Sequence, residues 1–255
     1  MPTTEIEWWN LKARELRDLA ARDAVVLIPV GSTEQHGPHL PVQVDALLVG
    51  EVARRAARLV TAEQPIVVAP TVWTGLAEHH MPFGGTFTLD FATFLGLIRC
   101  ICRSAARHGF RRMFLLNGHG GNMTALDTVV TELSVELQLP IAAGTYWMLA
   151  ERQFGEILEA QANVLHACEA ETSMVLALRP ELVDASQLGR IAGPPAEQFW
   201  TDFMRAPARW RTWEKVTANG VLGDPARASS EKGERLLAAA ARAVADAVSA
   251  PALWK

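Results

Sequence analysis

The chain alternates between two hydrophobic periods. Residues 11–22 space their apolar positions as a charged amphipathic helix. Residues 24–30 (AVVLIPV) form a short continuous apolar run with β-branched residues, the pattern of a strand buried on both faces. A polar loop with Gly and Pro follows over 31–44. Asp45 then stands where a carboxylate can accept from the free N–H groups of a helix over 46–60. The unit recurs. Residues 65–70 (PIVVAP) read as a second strand, 71–89 as a loop rich in Gly and His, and 91–108 as a helix ended by Gly109. Residues 111–116 give a third strand, 117–122 a glycine loop, 123–137 a helix and 140–145 a fourth strand. Helices are expected over 149–162, 169–178 and 231–249. The stretch 179–230 between the last two is irregular and carries Trp200, Trp210 and Trp213.

This alternation predicts an α/β fold, with a mostly parallel sheet covered by helices on both faces, and residues 1–255 as a single domain. Ligand sites in such sheets form at the carboxyl ends of strands. That rule gives weight to the histidines. Six of the seven fall in four short segments: His36 and His39, His79 and His80, His119, and His166. Three of the segments directly follow a predicted strand. Composition narrows the classes further. Hydrophobic residues make up 49% and charged residues 20%, which excludes a disordered chain. A net charge of −4 argues against a nucleic-acid binder. No apolar run approaches the ~18–20 residues of a membrane span. Glu5 and Glu7 stand in an N-terminus without a basic-then-apolar pattern, so no signal peptide is expected. Cys100, Cys102 and Cys168 lack framework spacing and point to a reducing compartment, the cytoplasm.

The segment Gly31-Ser-Thr-Glu-Gln-His-Gly-Pro-His-Leu-Pro-Val-Gln-Val-Asp45 holds Glu34 and His36 two apart, hence on one side of an extended chain. Asp45 admits two readings, helix cap or metal ligand. In the segment 78–86, His79 and His80 diverge as neighbours, so one of them faces the centre, and Gly84-Gly85 gives a turn able to line or cover a pocket. In 117–122, Gly118 and Gly120 match the start of G-x-G-x-x-G, but the third position is Met123. The dinucleotide reading therefore fails, and the glycines serve to present His119. In the fourth segment His166 precedes a helix in which Glu169 and Glu171 diverge by about 200°, so only one can face His119. Carboxylates there also suit the helix dipole. The candidate set is Glu34, His36, Asp45, His119 and Glu171, with His166 beside it. Three carboxylates and two imidazoles suit Zn²⁺, Mn²⁺ or Fe²⁺. Five donors suit two ions about 3.5–4 Å apart, sharing a carboxylate and lowering the pKa of a water between them. His166 has the pKa range to deliver a proton to a leaving group. No Lys or Arg lies in the four segments, which disfavours a phosphate substrate.

Three motifs together, residues 31–45, Asn117-Gly-His-Gly-Gly-Asn and His166 through Glu171-Thr-Ser, resemble the creatininase (creatinine amidohydrolase) family. The Glu78-His79 loop and Tyr146-Trp147 resemble its pattern too, so the likeness runs over roughly 24–178. It implies a three-layer α/β/α sandwich, hydrolysis of C–N bonds in small and often cyclic amides, and a homo-oligomer, commonly a hexamer. It implies Glu34, His36, Asp45 and His119 as ligands of two Zn²⁺ or Mn²⁺ ions, with Asp45 bridging. His166 is then catalytic, and Trp147, His79, Gly120 and Gly121 face a small-molecule substrate. One departure stands out. Creatininases carry a tyrosine and a glutamate ligand where Gly120 and Gly121 stand. Glu171 is expected to replace that ligand and to share in catalysis. The broader family includes formamide-cleaving, peptide-trimming and lactone-like ring-opening enzymes, which widens the range of substrates.

Overall fold

The apolar run near residue 24 becomes β1 (Val25–Val30), with every residue buried. Each of its Val, Leu and Ile side chains contributes about 1.5–3 kcal/mol by leaving water. The structure is a computed structural model that describes residues 5–62, 64–194 and 210–255. β1 lies between β2 (Ile66–Val68) and β3 (Arg112–Asn117), and β4 (Ile141–Thr145) pairs with the far edge of β3. All three pairings are parallel, with Val25 opposite Ile66 and Arg112, and Met113 opposite Ile141. Pro29 sits inside a central strand without disrupting it. Its carbonyl accepts from Val72 N–H, so its missing donor faces the flank where β2 has already ended.

Side chains alternate across the sheet and split the core in two. Val25, Leu27, Phe114 and Leu116 pack with α2 (Val44–Val60), α7 (Glu169–Leu178) and α8 (Ser230–Ser249). Val26, Ile28, Val30, Met113 and Leu115 pack with α1 (Ala13–Ala21), α3 (Phe91–Arg107) and α4 (Met123–Leu137). The result is the expected three-layer α/β/α sandwich. Among the described residues no helix is long and apolar enough to cross a membrane.

Two expectations need correction. The helix expected from 46 starts at Val44, so Asp45 lies inside its first turn, and its N-cap Gln43 makes no side-chain cap bond. The helix expected over 149–162 is instead α5 (Tyr146–Leu149) and α6 (Glu151–Ile157), with extended backbone at Leu158. The reason lies in a side chain. The N–H groups of Glu159 and Ala160 donate to the buried Glu169 carboxylate rather than to a preceding helical turn. Part of the irregular stretch, including Trp200, lies outside the described residues. Trp210 is exposed on the surface and Trp213 is buried.

Candidate metal centre

The carboxyl ends of β1 and β3 sit side by side and carry the site. Past Val30 the chain turns through the loop that bears Glu34 and His36, and α2 then delivers Asp45. Past Asn117 the turn is held by that residue's own amide: Oδ1 accepts from His119 N–H at 3.1 Å, and Nδ2 donates to His119 O at 2.8 Å. Gly118 passes so close to α2 that a Cβ there would fall 2.5 Å from Val49 Cβ. Glu171 enters from the first turn of α7. All five candidate donors are at most 4% exposed, which is unusual for three carboxylates.

Asp45 divides its carboxylate between two imidazoles. Its Oδ1 lies 3.2 Å from His36 Nε2, and its Oδ2 lies 3.0 Å from His119 Nδ1. Glu34 Oε2 stands 3.0 Å from the same His119 nitrogen, and Glu171 Oε1 stands 3.8 Å from His36 Nε2. Two groups of donor atoms result, Glu34–Asp45–His119 and His36–Asp45–Glu171, each within 4.8 Å of one another. A third group, Glu34–His36–His166, overlaps both. The outer ring nitrogens are committed elsewhere. His36 Nδ1 donates to Glu34 O at 3.1 Å, and His119 Nε2 donates to Leu76 O at 3.2 Å. Leu76 is itself clamped, because Asn122 accepts from its N–H and donates to Gly31 O. Such outer bonds fix the tautomer and aim the other lone pair inward.

With neutral rings, two inward lone pairs would face carboxylate oxygens at about 3 Å, an arrangement that repels unless a proton or a metal cation supplies positive charge there. Among the described residues, Glu34 Oε2, His36 Nε2 and Asp45 Oδ2 are buried without a hydrogen bond. Burial alone would push His119 down, but the charge of Glu34 and the contacts to both carboxylates hold it up at about 10. His36 is likewise held well above its usual range, against burial, by Asp45 and Glu171. Burial raises Glu171, whereas His119 and His80 overcome burial and hold Glu34 well below the usual carboxylate range. The site thus favours positive charge, and its oxygen and imidazole donors fit Zn²⁺, Mn²⁺ or Fe²⁺.

The remaining candidates are placed differently. Glu169 is wholly buried but turned away, bound to backbone N–H groups and to Lys232 Nζ at 2.6 Å. Glu171 completes the His36 side, whereas Gly121 adjoins His119, so Glu171 does not occupy the position of a ligand at 121. A Cβ at Gly121 would fall 2.3 Å from Leu76 O and 2.5 Å from His119 Nε2, while one at Gly120 meets nothing within 4 Å. His79 stacks on His119 with ring centroids 5.8 Å apart, and burial with its neighbours His80 and His119 pushes it down to about 3. It is His80 that reaches the carboxylates, with Nε2 3.2 Å from Glu34 Oε1. His166 is buried beside His36, and burial followed by the charges of His36 and His80 pushes it well below its usual range. His39 bonds Thr172 through Nε2, and burial pushes it down to about 4. Trp147 packs edge-on to Tyr146 in the apolar core.

Sequence reasoning missed Gln35, and it placed Trp213 only as one of three tryptophans in an irregular stretch expected to contribute to the pocket. Gln35 touches both His80 and His166, and Trp213 lies against His79, His80 and His166 with centroids 4.9–5.7 Å apart. Gln35, set between two candidate ligands, carried a signal. The sequence did not distinguish Trp213 from Trp200 and Trp210.

Comparison with known proteins places the chain in a family. The creatininase (creatinine amidohydrolase) family matches residues 9–248. The chain is 33% identical to creatinine amidohydrolase of Pseudomonas putida over 262 residues, 96% of this chain and 94% of that one. It is 34% identical to a mycofactocin precursor peptide peptidase of Mycolicibacterium smegmatis, over 91% of this chain and 87% of that one. A solved manganese creatininase aligns with TM-score 0.81 and 30% identity over 96% of this chain and 97% of its own. A Zn–Zn form of a creatininase variant aligns equally well, over 98% of its own length. The chain belongs to the creatininase family of hydrolases.

Proposed function

We propose that this creatininase-family amidohydrolase binds two divalent ions per chain and cleaves a C–N bond in a small, cyclic amide. The observation that carries the reading is the division of Asp45 between two donor groups, one oxygen facing each. Glu34 and His119 would hold one ion, His36 and Glu171 the other, and Asp45 both. When bound, such ions polarise a carbonyl and make water a nucleophile at neutral pH. The chain's own residues supply the rest. His166, neutral at rest, would take on one ring nitrogen the proton that the attacking water loses and return it to the leaving nitrogen. His80 and Trp213 wall the site against bulk water. His79 and the space left at Gly120 by the described residues face the substrate side in this reading, Gly121 gives the backbone close passage, and Trp147 would lie near the substrate.

A formamide, lactone or peptide electrophile is the second reading. It is favoured by the absence of any described residue within 4 Å of a Cβ at Gly120 and by an identity to peptide peptidases similar to that to creatinine amidohydrolase. A homo-oligomer belongs to the same proposal. Trp73 and Phe87 pack edge to face on the surface at 55% and 62% exposure, and a pair of exposed aromatic rings supports a contact with another chain. The test is elemental analysis of undialysed protein, with a panel of cyclic ureides, lactams, formamides and lactones assayed with and without chelator. The expected result is two ions per chain and amide cleavage that chelator abolishes and Zn²⁺ or Mn²⁺ restores. Full activity in metal-free protein overturns the proposal, and turnover of lactones alone selects the second reading.

A further inference from the structure

The Gln35 side chain joins two parts of the site that are far apart in sequence. Its Oε1 accepts from Gly37 N–H at 2.9 Å, which orients the amide and leaves Nε2 facing three atoms. These are Gly220 O at 3.2 Å, His80 Nδ1 at 2.8 Å and His166 Nε2 at 2.9 Å. The amide nitrogen has two hydrogens and cannot serve all three. The backbone carbonyl of Gln35 decides which is left out. It lies 2.8 Å from His166 Nε2 and can only accept, so that nitrogen carries a hydrogen. The two amide hydrogens then go to Gly220 O and His80 Nδ1. His80 carries its own hydrogen on Nε2 and donates to Glu34 Oε1. His166 is left with its lone pair on Nδ1, 3.6 Å from Glu34 Oε1. The opposite assignment sets a His166 lone pair against the Gln35 carbonyl at 2.8 Å and leaves His80 Nδ1 unserved.

Gly220 locks this arrangement from the other side. Its carbonyl also accepts from Trp213 Nε1 at 3.1 Å, and its φ of +83° with a virtual Cβ only 2.1 Å from Gln35 Oε1 leaves no room for a side chain. Two residues on, Leu222 pairs its backbone with His166 in both directions.

We propose that Gln35 is a positioning residue, whose amide, anchored on the Gly220 carbonyl, sets the tautomers of His80 and His166 and keeps His166 Nδ1 open to receive a proton. The role assigned to that proton rests on the metal-hydrolase reading above, whereas the tautomers do not.

The test is nitrogen-15 histidine NMR on zinc-loaded protein, comparing the wild type with Gln35→Met and Gly220→Ala, alongside zinc content. Wild type is expected to show His80 and His166 each protonated on Nε2. Both variants are expected to keep their zinc and to lose the single-tautomer pattern. Turnover of the panel amide cleaved fastest by wild type falls about 10- to 100-fold, the usual effect of removing an outer partner of a metal site. A wild-type His166 protonated on Nδ1 overturns the proposal. So do variants that lose stability alone while tautomers and turnover stay unchanged. Wild-type protein that binds no zinc yet shows these tautomers overturns the metal reading and supports the assignment to Gln35.

Discussion

Replacing Asp45 by Asn separates a shared carboxylate from two independent sites. The substitution keeps the side chain's size and removes one negative charge. Each carboxylate oxygen carries about half a unit charge and lies 3.0 or 3.2 Å from an imidazole nitrogen that faces the space for a cation. At an effective dielectric of about 20, half a charge at that distance attracts a unit positive charge by about 2.7 kcal/mol. That corresponds to roughly a 100-fold loss of affinity on each side, and more for a divalent ion. Asp45→Asn is therefore expected to weaken both ions. Glu171→Gln should weaken the ion on the His36 side alone, because Glu171 belongs only to that donor group. The assay is competitive zinc titration followed by elemental analysis of the gel-filtered variants. Two ions retained in Asp45→Asn, or loss of one ion with the other at wild-type affinity, refutes the sharing argument.

Three further outcomes follow from the same structure. Zinc at about 100 times its dissociation constant stabilises the chain by about 2.7 kcal/mol per ion. Calorimetry should then show a melting temperature roughly 5–10 °C higher per ion than with chelator. Lys232→Met leaves the wholly buried Glu169 without its cation and should cost about 3 kcal/mol in urea unfolding, with zinc content unchanged. Iodoacetamide at pH 8 should label the exposed Cys100 in native protein and spare the other two cysteines, as read by mass spectrometry. Burial pushes the Cys102 thiol up to about 12 and, with the charge of Glu171, that of Cys168 up to about 11. A raised pKa depletes the reactive thiolate, to about one part in 10,000 and one in 1,000 at that pH.

The layers of the fold were legible because each strand is a short apolar run bounded by turn residues, as at 24–30 and 65–70. The site was legible where spacing constrains direction: Glu34 and His36 share a side, and Glu169 and Glu171 cannot both face inward. Elsewhere tertiary contacts decided. Taken alone Asp45 read first as a helix cap, and it is the start of α2 at Val44, two residues before the expected start, that goes with a carboxylate turned toward His36 and His119. The break in the expected helix at 149–162 depends on Glu169, which reaches back to take N–H groups that a helix would have used. His79 and His80 are neighbours, and the 3₁₀ turn over Glu78–Phe83 gives His80 the contact to Glu34. Gln35 and Trp213 act through Gly220, more than 180 residues from Gln35, and no local pattern encodes that meeting.

The central claim is a pair of ions held through one aspartate. Anomalous diffraction from crystals grown with zinc tests it most directly. Two peaks are expected, one among Glu34, Asp45 and His119 and one among His36, Asp45 and Glu171. A single peak, or none within reach of Asp45, contradicts the account.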